Sequence, residues 1–270
     1  MTPPSPAEAA LTALAQAVGA HALEAFGVAL LVLLLAVAGL GASARRVAER
    51  RRHPPSPLGR TALRLGLGFS MIIGAAVLFA ALADEIGANE SLGRIDQAFS
   101  DAVRQSTPPA ALQASAVVTH LGDPWMLALL CAVVAGALWL RGERLLAFAY
   151  LAAVGGNALL NPALKRIFER VRPLHEGGLP LADGWSFPSG HSSSALVAYG
   201  MLAYVLLRTL PRGWHLPAVL AATATAFCVG ASRIFLQVHF ASDVAAGFAS
   251  GTAWLGACIL SVEWARGRRR

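Results

Sequence analysis

The sequence predicts an all-α, polytopic transmembrane helix bundle, and three observations predict it. The 270 residues are 56% hydrophobic, with a mean hydropathy of +0.57. Only 14% are charged, where a soluble domain carries about 25%. The apolar residues also gather into stretches close to the ~20 residues that a helix needs to cross a hydrocarbon core.

Seven spans follow, near residues 22–43, 63–83, 122–140, 145–163, 190–208, 216–232 and 240–262. The first contains an uninterrupted apolar run over 26–40. The fourth is interrupted by Gly155, Gly156, Asn157 and Asn161. Small residues there suit close helix packing, and an intramembrane Asn hydrogen-bonds to a neighbouring helix. Two further segments are helical without spanning. The Ala-rich stretch 7–20, with Leu11, Leu14 and Val18, reads as an interfacial helix of no assigned function. The absence of Lys or Arg from the first twenty residues argues against a secretory leader. Segment 84–121 places Leu92, Ile95, Phe99 and Val103 at helical spacing and reads as an amphipathic helix lying on the outer face. Cys131, Cys228 and Cys258 lie in apolar stretches without metal-ligand spacing and read as small core residues.

Arginine placement gives the orientation. Arg45, Arg46, Arg50, Arg51, Arg52, Arg60 and Arg64 follow the first span; Arg141 and Arg144, Arg208 and Arg212, and Arg266, Arg268, Arg269 and Arg270 mark later links and the tail. Seven spans put all of these on the cytoplasmic side. The net charge of +7 is then loop charge facing anionic membrane lipid, and no nucleic-acid motif accompanies it. Trp125, Trp139, Trp185, Trp214 and Trp264 fall near span ends, as an aromatic belt requires. Loop 164–190 breaks the charge rule: Lys165, Arg166, Arg170 and Arg172 fall outside, which an anionic substrate explains.

Three segments on that outer face carry chemistry. Lys165, the only lysine, stands seven residues before Arg172-Pro173. Near two helical turns, that spacing points both cations one way, a point charge and a bidentate fork for phosphate, with Pro173 stopping or bending the helix. Phe187-Pro188-Ser189-Gly190-His191-Ser192 opens the fifth span. Free N–H groups at a helix start bind anions, Gly190 admits close approach, Ser189 donates, and His191 can deliver a proton. In the third segment Ser232-Arg233 precedes His239, and Asp243 follows four residues later, on one helix face. A carboxylate on one imidazole nitrogen leaves the other free to attack. Each segment has a plainer alternative when taken alone: a lipid-binding basic cluster, a Ser-capped helix, a structural His–Asp pair. Together they supply charge stabilisation, nucleophile, orienting base and proton donor. With no carboxylate cluster for Mg²⁺ on that side, no metal and no cofactor are expected. His120 and His175 read as surface or interfacial histidines.

Residues 165–173, Pro188-Ser189-Gly190-His191, and Ser232-Arg233 through His239 to Asp243 resemble the three-part signature of the type 2 phosphatidic-acid phosphatases, which share their site with vanadium haloperoxidases and class A acid phosphatases. The resemblance covers roughly 63–262, a six-helix phosphatase core. It leaves 1–62 as an N-terminal segment with one extra transmembrane helix and 263–270 as a basic cytoplasmic tail. It implies His239 as a nucleophile forming a phosphohistidine, Asp243 as its partner and His191 as general acid. Lys165, Arg172, Ser189, Gly190 and Arg233 would bind phosphate. The implied enzyme is a metal-independent lipid phosphate or diphosphate phosphatase of a bacterial inner membrane, its site extracytoplasmic. Undecaprenyl diphosphate is the first substrate expected, then phosphatidate or phosphatidylglycerol phosphate. A lipid phosphotransferase, or a transporter or binding protein for an anionic solute or lipid, is the alternative; the oligomeric state is left open. On this reading Asp243→Asn lowers turnover and leaves the fold intact.

Overall fold

A computed structural model describes residues 5–50, 57–88, 90–173 and 184–268. His175, Arg51, Arg52, Arg269 and Arg270 lie outside the described residues, as do the side chains of Arg50, Arg60 and Arg64. The described residues are helical, with no strand among them. In chain order the α-helices are α1 Pro6–Ala20, α2 Ala22–Arg50, α3 Pro57–Ala88, α4 Glu90–Ser106, α5 Pro109–Val118, α6 Pro124–Leu140, α7 Arg144–Phe168, α8 Gly190–Thr209, α9 His215–Phe235 and α10 Ala241–Gly267.

Helices α2, α3, α7, α8, α9 and α10 are long and apolar enough to cross a membrane. The third span, near 122–140, is bent. With only 17 residues, α6 reaches about 25 Å at 1.5 Å per residue. It is joined to α5 through a 3₁₀ turn, Thr119–Gly122, and the pair bends by 47°. Asp123 and Pro124 make the break, because Pro holds its predecessor extended. The chain is a multi-pass membrane protein.

The fourth span is not broken. Helix α7 runs through Gly155 and Gly156, and Asn157 and Asn161 face α8. Asn157 Nδ2 donates to Ser194 Oγ at 2.9 Å and Asn161 Nδ2 to Ser193 Oγ at 3.3 Å. These amides are interhelical bonds of the kind the sequence predicted.

Helix α10 packs against α3, α7 and α8, and its small residues set how close they come. A Cβ on Gly247 would lie 2.6 Å from the Ser189 carbonyl oxygen, and one on Gly251 would lie 3.0 Å from that of Ser193. One apolar core joins Leu138, Leu146, Tyr150, Val197, Met201 and Val262; another gathers Ala22, Val103, Ile234, Phe235 and Val244. The second core ties α2 and α4 to the end of the bundle where α9 gives way to α10.

Helices α1 and α4 pack together at that same end. Arg94 pairs with Glu8 at 2.5 Å, and Ser106 Oγ donates to the Gly19 carbonyl at 2.8 Å. The apolar stripe of α4 behaves as predicted only in part. Val103 is fully buried, but so are Asp96 and Ser100, which the hydrophobic spacing did not single out. Cys131 is buried, Cys228 and Cys258 are half-buried, and all three are free thiols. The five tryptophans assigned to span ends are exposed.

Gly247→Ala is expected to push α10 from the α8 N-terminus and to destabilise the protein by about 1–3 kcal/mol. A thermal melt in detergent, followed by size-exclusion chromatography, checks this.

Candidate active site

The motif residues sit where α7 and α9 end and α8 and α10 begin. Helix α7 stops at Phe168, and Glu169 turns the chain with φ 44°. Lys165 and Arg172 therefore do not share one helix face; the helix ends before Arg172, and Pro173 does not end it. Lys165 Nζ instead donates to the Trp185 carbonyl. Arg172 reaches back from the loop, with Nε on the Gly184 carbonyl at 3.0 Å and Nη1 on the Val238 carbonyl at 2.5 Å.

His239 also differs from the helical reading. Helix α10 starts at Ala241 with Phe240 as N-cap, so His239 precedes the helix. It is positioned by a reversal after α9, where Gln237 adopts φ 59° and the Val238 and His239 amides donate to the Arg233 carbonyl at 3.1 and 3.3 Å. Asp243 is the third helical residue. Its Oδ2 accepts the Phe240 N–H at 2.9 Å, so the same carboxylate caps the helix and faces the imidazole.

The tautomer of His239 follows from its neighbours. Arg172 Nη1, which can only donate, lies 3.3 Å from Nε2. Nε2 is then the acceptor, and the proton belongs on Nδ1. Nδ1 faces Ser186 Oγ at 3.3 Å and Asp243 Oδ2 at 3.5 Å, and Ser186 in turn donates to Asp243 Oδ2. Burial pushes the imidazole down to about 4, outweighing the hydrogen bond and charge of Asp243, with Arg172 and Lys165 adding to the depression. A neutral His239 with a lone pair on the Arg172 side is the resting form.

His191 sits in the first turn of α8, with Nε2 3.0 Å from Asp123 Oδ1. The other Asp123 oxygen accepts from His120 Nδ1 at 2.7 Å and Trp125 Nε1 at 3.2 Å. Ser189 is fully buried as the α8 N-cap, its Oγ accepting from Ser192 N at 3.4 Å and Ser192 Oγ at 2.9 Å. A Cβ on Gly190 would meet Asn161 Oδ1 at 2.9 Å, so α7 and α8 approach closely here. Arg233 donates from Nη1 to Thr119 Oγ1 at 2.8 Å. Its Nε is buried with no hydrogen-bond partner among the described residues. Lys165 lies within electrostatic reach of Arg172, Arg233 and Asp243, and His191 within reach of Arg233 and Lys165. The predicted residues are thus gathered at one end of the bundle.

Several residues here were not assigned from sequence. Asp123 and Thr119 come from the bend in the third span; a carboxylate directly before Pro124 at a span end was the available signal. Ser186 carried none. Arg170 had been grouped with the substrate-facing cations, but its guanidinium engages Asp96 at 2.8 Å and Asp243 at 2.7 Å. Among the described residues no group of three or more His, Cys, Asp or Glu is arranged to hold a metal.

A family model described as the PAP2 superfamily matches residues 146–266. Phosphatidylglycerophosphatase B of Bacillus subtilis is 34% identical over 163 residues, 58% of this chain and 77% of that protein. The chain belongs to the PAP2 superfamily. A second relative, the decaprenylphosphoryl-5-phosphoribose phosphatase of Mycobacterium tuberculosis, is 34% identical over 168 residues, 60% of this chain and 86% of that protein. The crystal structure of a transmembrane PAP2-type phosphatidylglycerolphosphate phosphatase from Bacillus subtilis superposes with a TM-score of 0.66 at 29% identity, covering 74% of this chain and 98% of that one. The PAP2 match includes all three motif segments, whereas Asp96, Thr119 and Asp123 lie before it.

In this PAP2 site Asp243 holds the local structure together, which revises the expectation that its substitution leaves the fold intact. Asp243→Ala would remove one of the two carboxylates paired with the Arg170 guanidinium and leave the Phe240 N–H without its acceptor. It should cost about 3–5 kcal/mol, the range for breaking a buried ion pair, and Asp243→Asn part of that. Thermal unfolding of both variants measures it.

Proposed function

We propose that this chain is a lipid phosphate phosphatase that works through a phosphohistidine on His239. The observation that carries the proposal is the polarity of that imidazole: Nδ1 turned to Ser186 and Asp243, Nε2 turned to Arg172. Nε2 attacks phosphorus as the bond from phosphorus to the lipid oxygen breaks. The positive charge left on the ring is offset by Asp243. His191, entering as the imidazolium, gives one proton to the departing oxygen and becomes neutral, with Asp123 orienting the ring. Water then attacks the phosphohistidine, His191 takes a proton from it, and phosphate leaves with Nε2 restored. Lys165, Arg172 and Arg233, with the Ser189–Gly190 helix start, hold the phosphoryl oxygens. The unpartnered Arg233 Nε supports this, since a buried charged N–H without an acceptor is costly and a phosphate oxygen would satisfy it.

For substrate, the Bacillus relatives' names favour phosphatidylglycerol phosphate. The mycobacterial relative favours a prenyl-linked phosphate, and keeps undecaprenyl diphosphate as the second reading. The transporter alternative loses its support, because α7 is continuous and Asn157 is engaged by α8. The chain divides as the sequence suggests, 1–62, 63–262 and 263–270. The site is taken to face outward from a bacterial inner membrane. Arg45, Arg46, Arg141, Arg144, Arg208, Arg212, Arg266 and Arg268 belong to the opposite ends of the spans, which supports that orientation.

His239→Ala is expected to abolish phosphate release from phosphatidylglycerol phosphate and to leave no acid-labile phosphoenzyme in a rapid quench. His191→Ala should slow an alkyl monoester more than a diphosphate, whose leaving group needs protonation less. Near wild-type turnover by His239→Ala would place the nucleophile elsewhere. A reporter at the C-terminus should read as cytoplasmic and one at the N-terminus as external; the reverse would overturn the orientation.

A further inference from the structure

The buried charges behind His239 extend past Asp243 to Arg170, inside the first motif segment, and to Asp96, outside the motifs. Arg170 Nη1 donates to Asp243 Oδ1 and to Ser242 Oγ, both at 2.7 Å, and Nη2 donates to Asp96 Oδ2 at 2.8 Å. Asp96 also accepts the Ser242 N–H at 3.3 Å and the Ser242 hydroxyl. The Arg170 guanidinium lies over the Phe240 ring at 4.4 Å, and its carbonyl accepts the Ser186 N–H at 2.7 Å. The three side chains are 10%, 6% and 0% exposed for Arg170, Asp96 and Asp243.

Geometry gives this cluster a task. A carboxylate turns about its terminal bond unless both oxygens are held. Oδ2 of Asp243 is held by Ser186 and the Phe240 N–H, on the His239 side; Oδ1 is held by Arg170 alone among the described residues. Arg170 is itself held at its other nitrogen by Asp96, which comes from α4 and lies outside the residues that the family model matches. Asp96 further caps α10 by taking an N–H of its first turn, the place where a helix dipole favours an anion.

We propose that Arg170 and Asp96 are positioning residues for Asp243, with Asp96 on α4 fixing the Arg170 fork that sets the orientation and effective charge of the carboxylate acting on His239. The proposal rests on His239 being the nucleophile. It makes α4 part of the support of the site. The charged groups that act on His239 or Asp243 are Lys165 on α7, Arg170 and Arg172 on the loop after it, and Asp96 on α4; His191 on α8 and Arg233 on α9 lie next, within electrostatic reach of Lys165. Of these, Arg170 alone makes an ion pair with Asp243 directly.

Charge sharing fixes the sign of the test. With Arg170 neutralised, the Asp243 charge acts on His239 without a competing cation and favours the protonated imidazole, which cannot attack. Arg170→Gln should lower kcat about 10- to 100-fold, the cost seen when outer partners of functional histidines are removed. It should leave KM within about threefold and move the acid limb of the kcat profile to higher pH. Arg170→Lys keeps the cation, so its limb should stay near wild type while kcat falls for want of the fork. Asp96→Asn leaves Arg170 charged and more fully on Asp243, so kcat should fall without an upward shift of the limb.

The assay uses the full chain in detergent micelles with phosphatidylglycerol phosphate and phosphatidate. Histidine-selective ¹³C NMR, assigned with His239→Gln, follows the imidazole titration alongside. An upward shift of the His239 titration in Arg170→Gln and not in Arg170→Lys or Asp96→Asn supports the proposal, whether or not these lipids are turned over. Wild-type protein inactive on both lipids but showing that pattern would count against the substrate reading alone. Unchanged titration and kcat in Arg170→Gln, or an equal loss of activity in all three variants with no change in titration, would overturn the proposal.

Discussion

The Asp243 carboxylate is the point on which the rest of this architecture depends. One oxygen closes the N-terminus of α10 and faces His239 beside Ser186; the other binds Arg170. The Asp243 carbonyl accepts the Ser189 N–H at 2.9 Å, so the residue also joins α10 to the start of α8. A fully buried carboxylate is tolerated only with such partners, since each lost partner would leave an ionised group in a medium that cannot solvate it. The local fold and the state of His239 are therefore one problem: conformations that misplace α8, the α9–α10 turn or the loop after α7 also leave Asp243 unsatisfied.

Close helix approach makes that convergence possible. Gly247 and Gly251 bring α10 against backbone carbonyls of α8, and Gly190 brings α8 against Asn161 of α7. In a bilayer, where lipid tails are as apolar as leucine, contact between helices depends on packing and on interhelical hydrogen bonds. The Ser193 and Ser194 hydroxyls take the Asn157 and Asn161 amides below the site. The cluster at the bundle end thus rests on a polar seam between α7 and α8.

Much of this was legible in the sequence, for identifiable reasons. Long apolar runs and Arg placement encode spans directly, because they answer to the thickness and charge of the bilayer and hardly to tertiary detail. The motif residues were legible because ionisable side chains stand out in an apolar chain. What spacing misjudged was local geometry. Lys165 and Arg172 looked like two turns of one helix, and His239 and Asp243 like one turn; both pairs are separated by helix ends, at Glu169 and Phe240. No periodicity reports a left-handed residue such as Glu169 or Gln237. Asp96 was hidden for the opposite reason. On a helix with an apolar stripe, an aspartate reads as part of the solvated face, and the arrival of Arg170 from 74 residues away, with Ser242, accounts for its burial.

Across His239 the site is polarised. Behind Nδ1 lie two carboxylates sharing one guanidinium, Asp96 and Asp243 with Arg170. Burial raises the Asp96 carboxyl above its usual range, and Arg170 works against that rise. Nε2 faces Arg172; Lys165 also acts electrostatically on the ring, and Arg233 lies within reach of Lys165. Lys165 donates to a carbonyl and Arg233 to a hydroxyl, both neutral acceptors. An imidazole between a net negative and a net positive cluster is drawn two ways. The carboxylate side favours a proton on Nδ1, and the cation side resists a second proton on Nε2. That field keeps the outward nitrogen unprotonated and sets cations near it. A phosphoryl group suits both features: its charge is attracted to the cations, and its phosphorus is what a lone pair on Nε2 can attack. On the proposed phosphohistidine mechanism the ring becomes cationic after attack, and the carboxylate side then stabilises what the cation side had opposed. The same charge arrangement would then serve a neutral resting nucleophile and a charged intermediate.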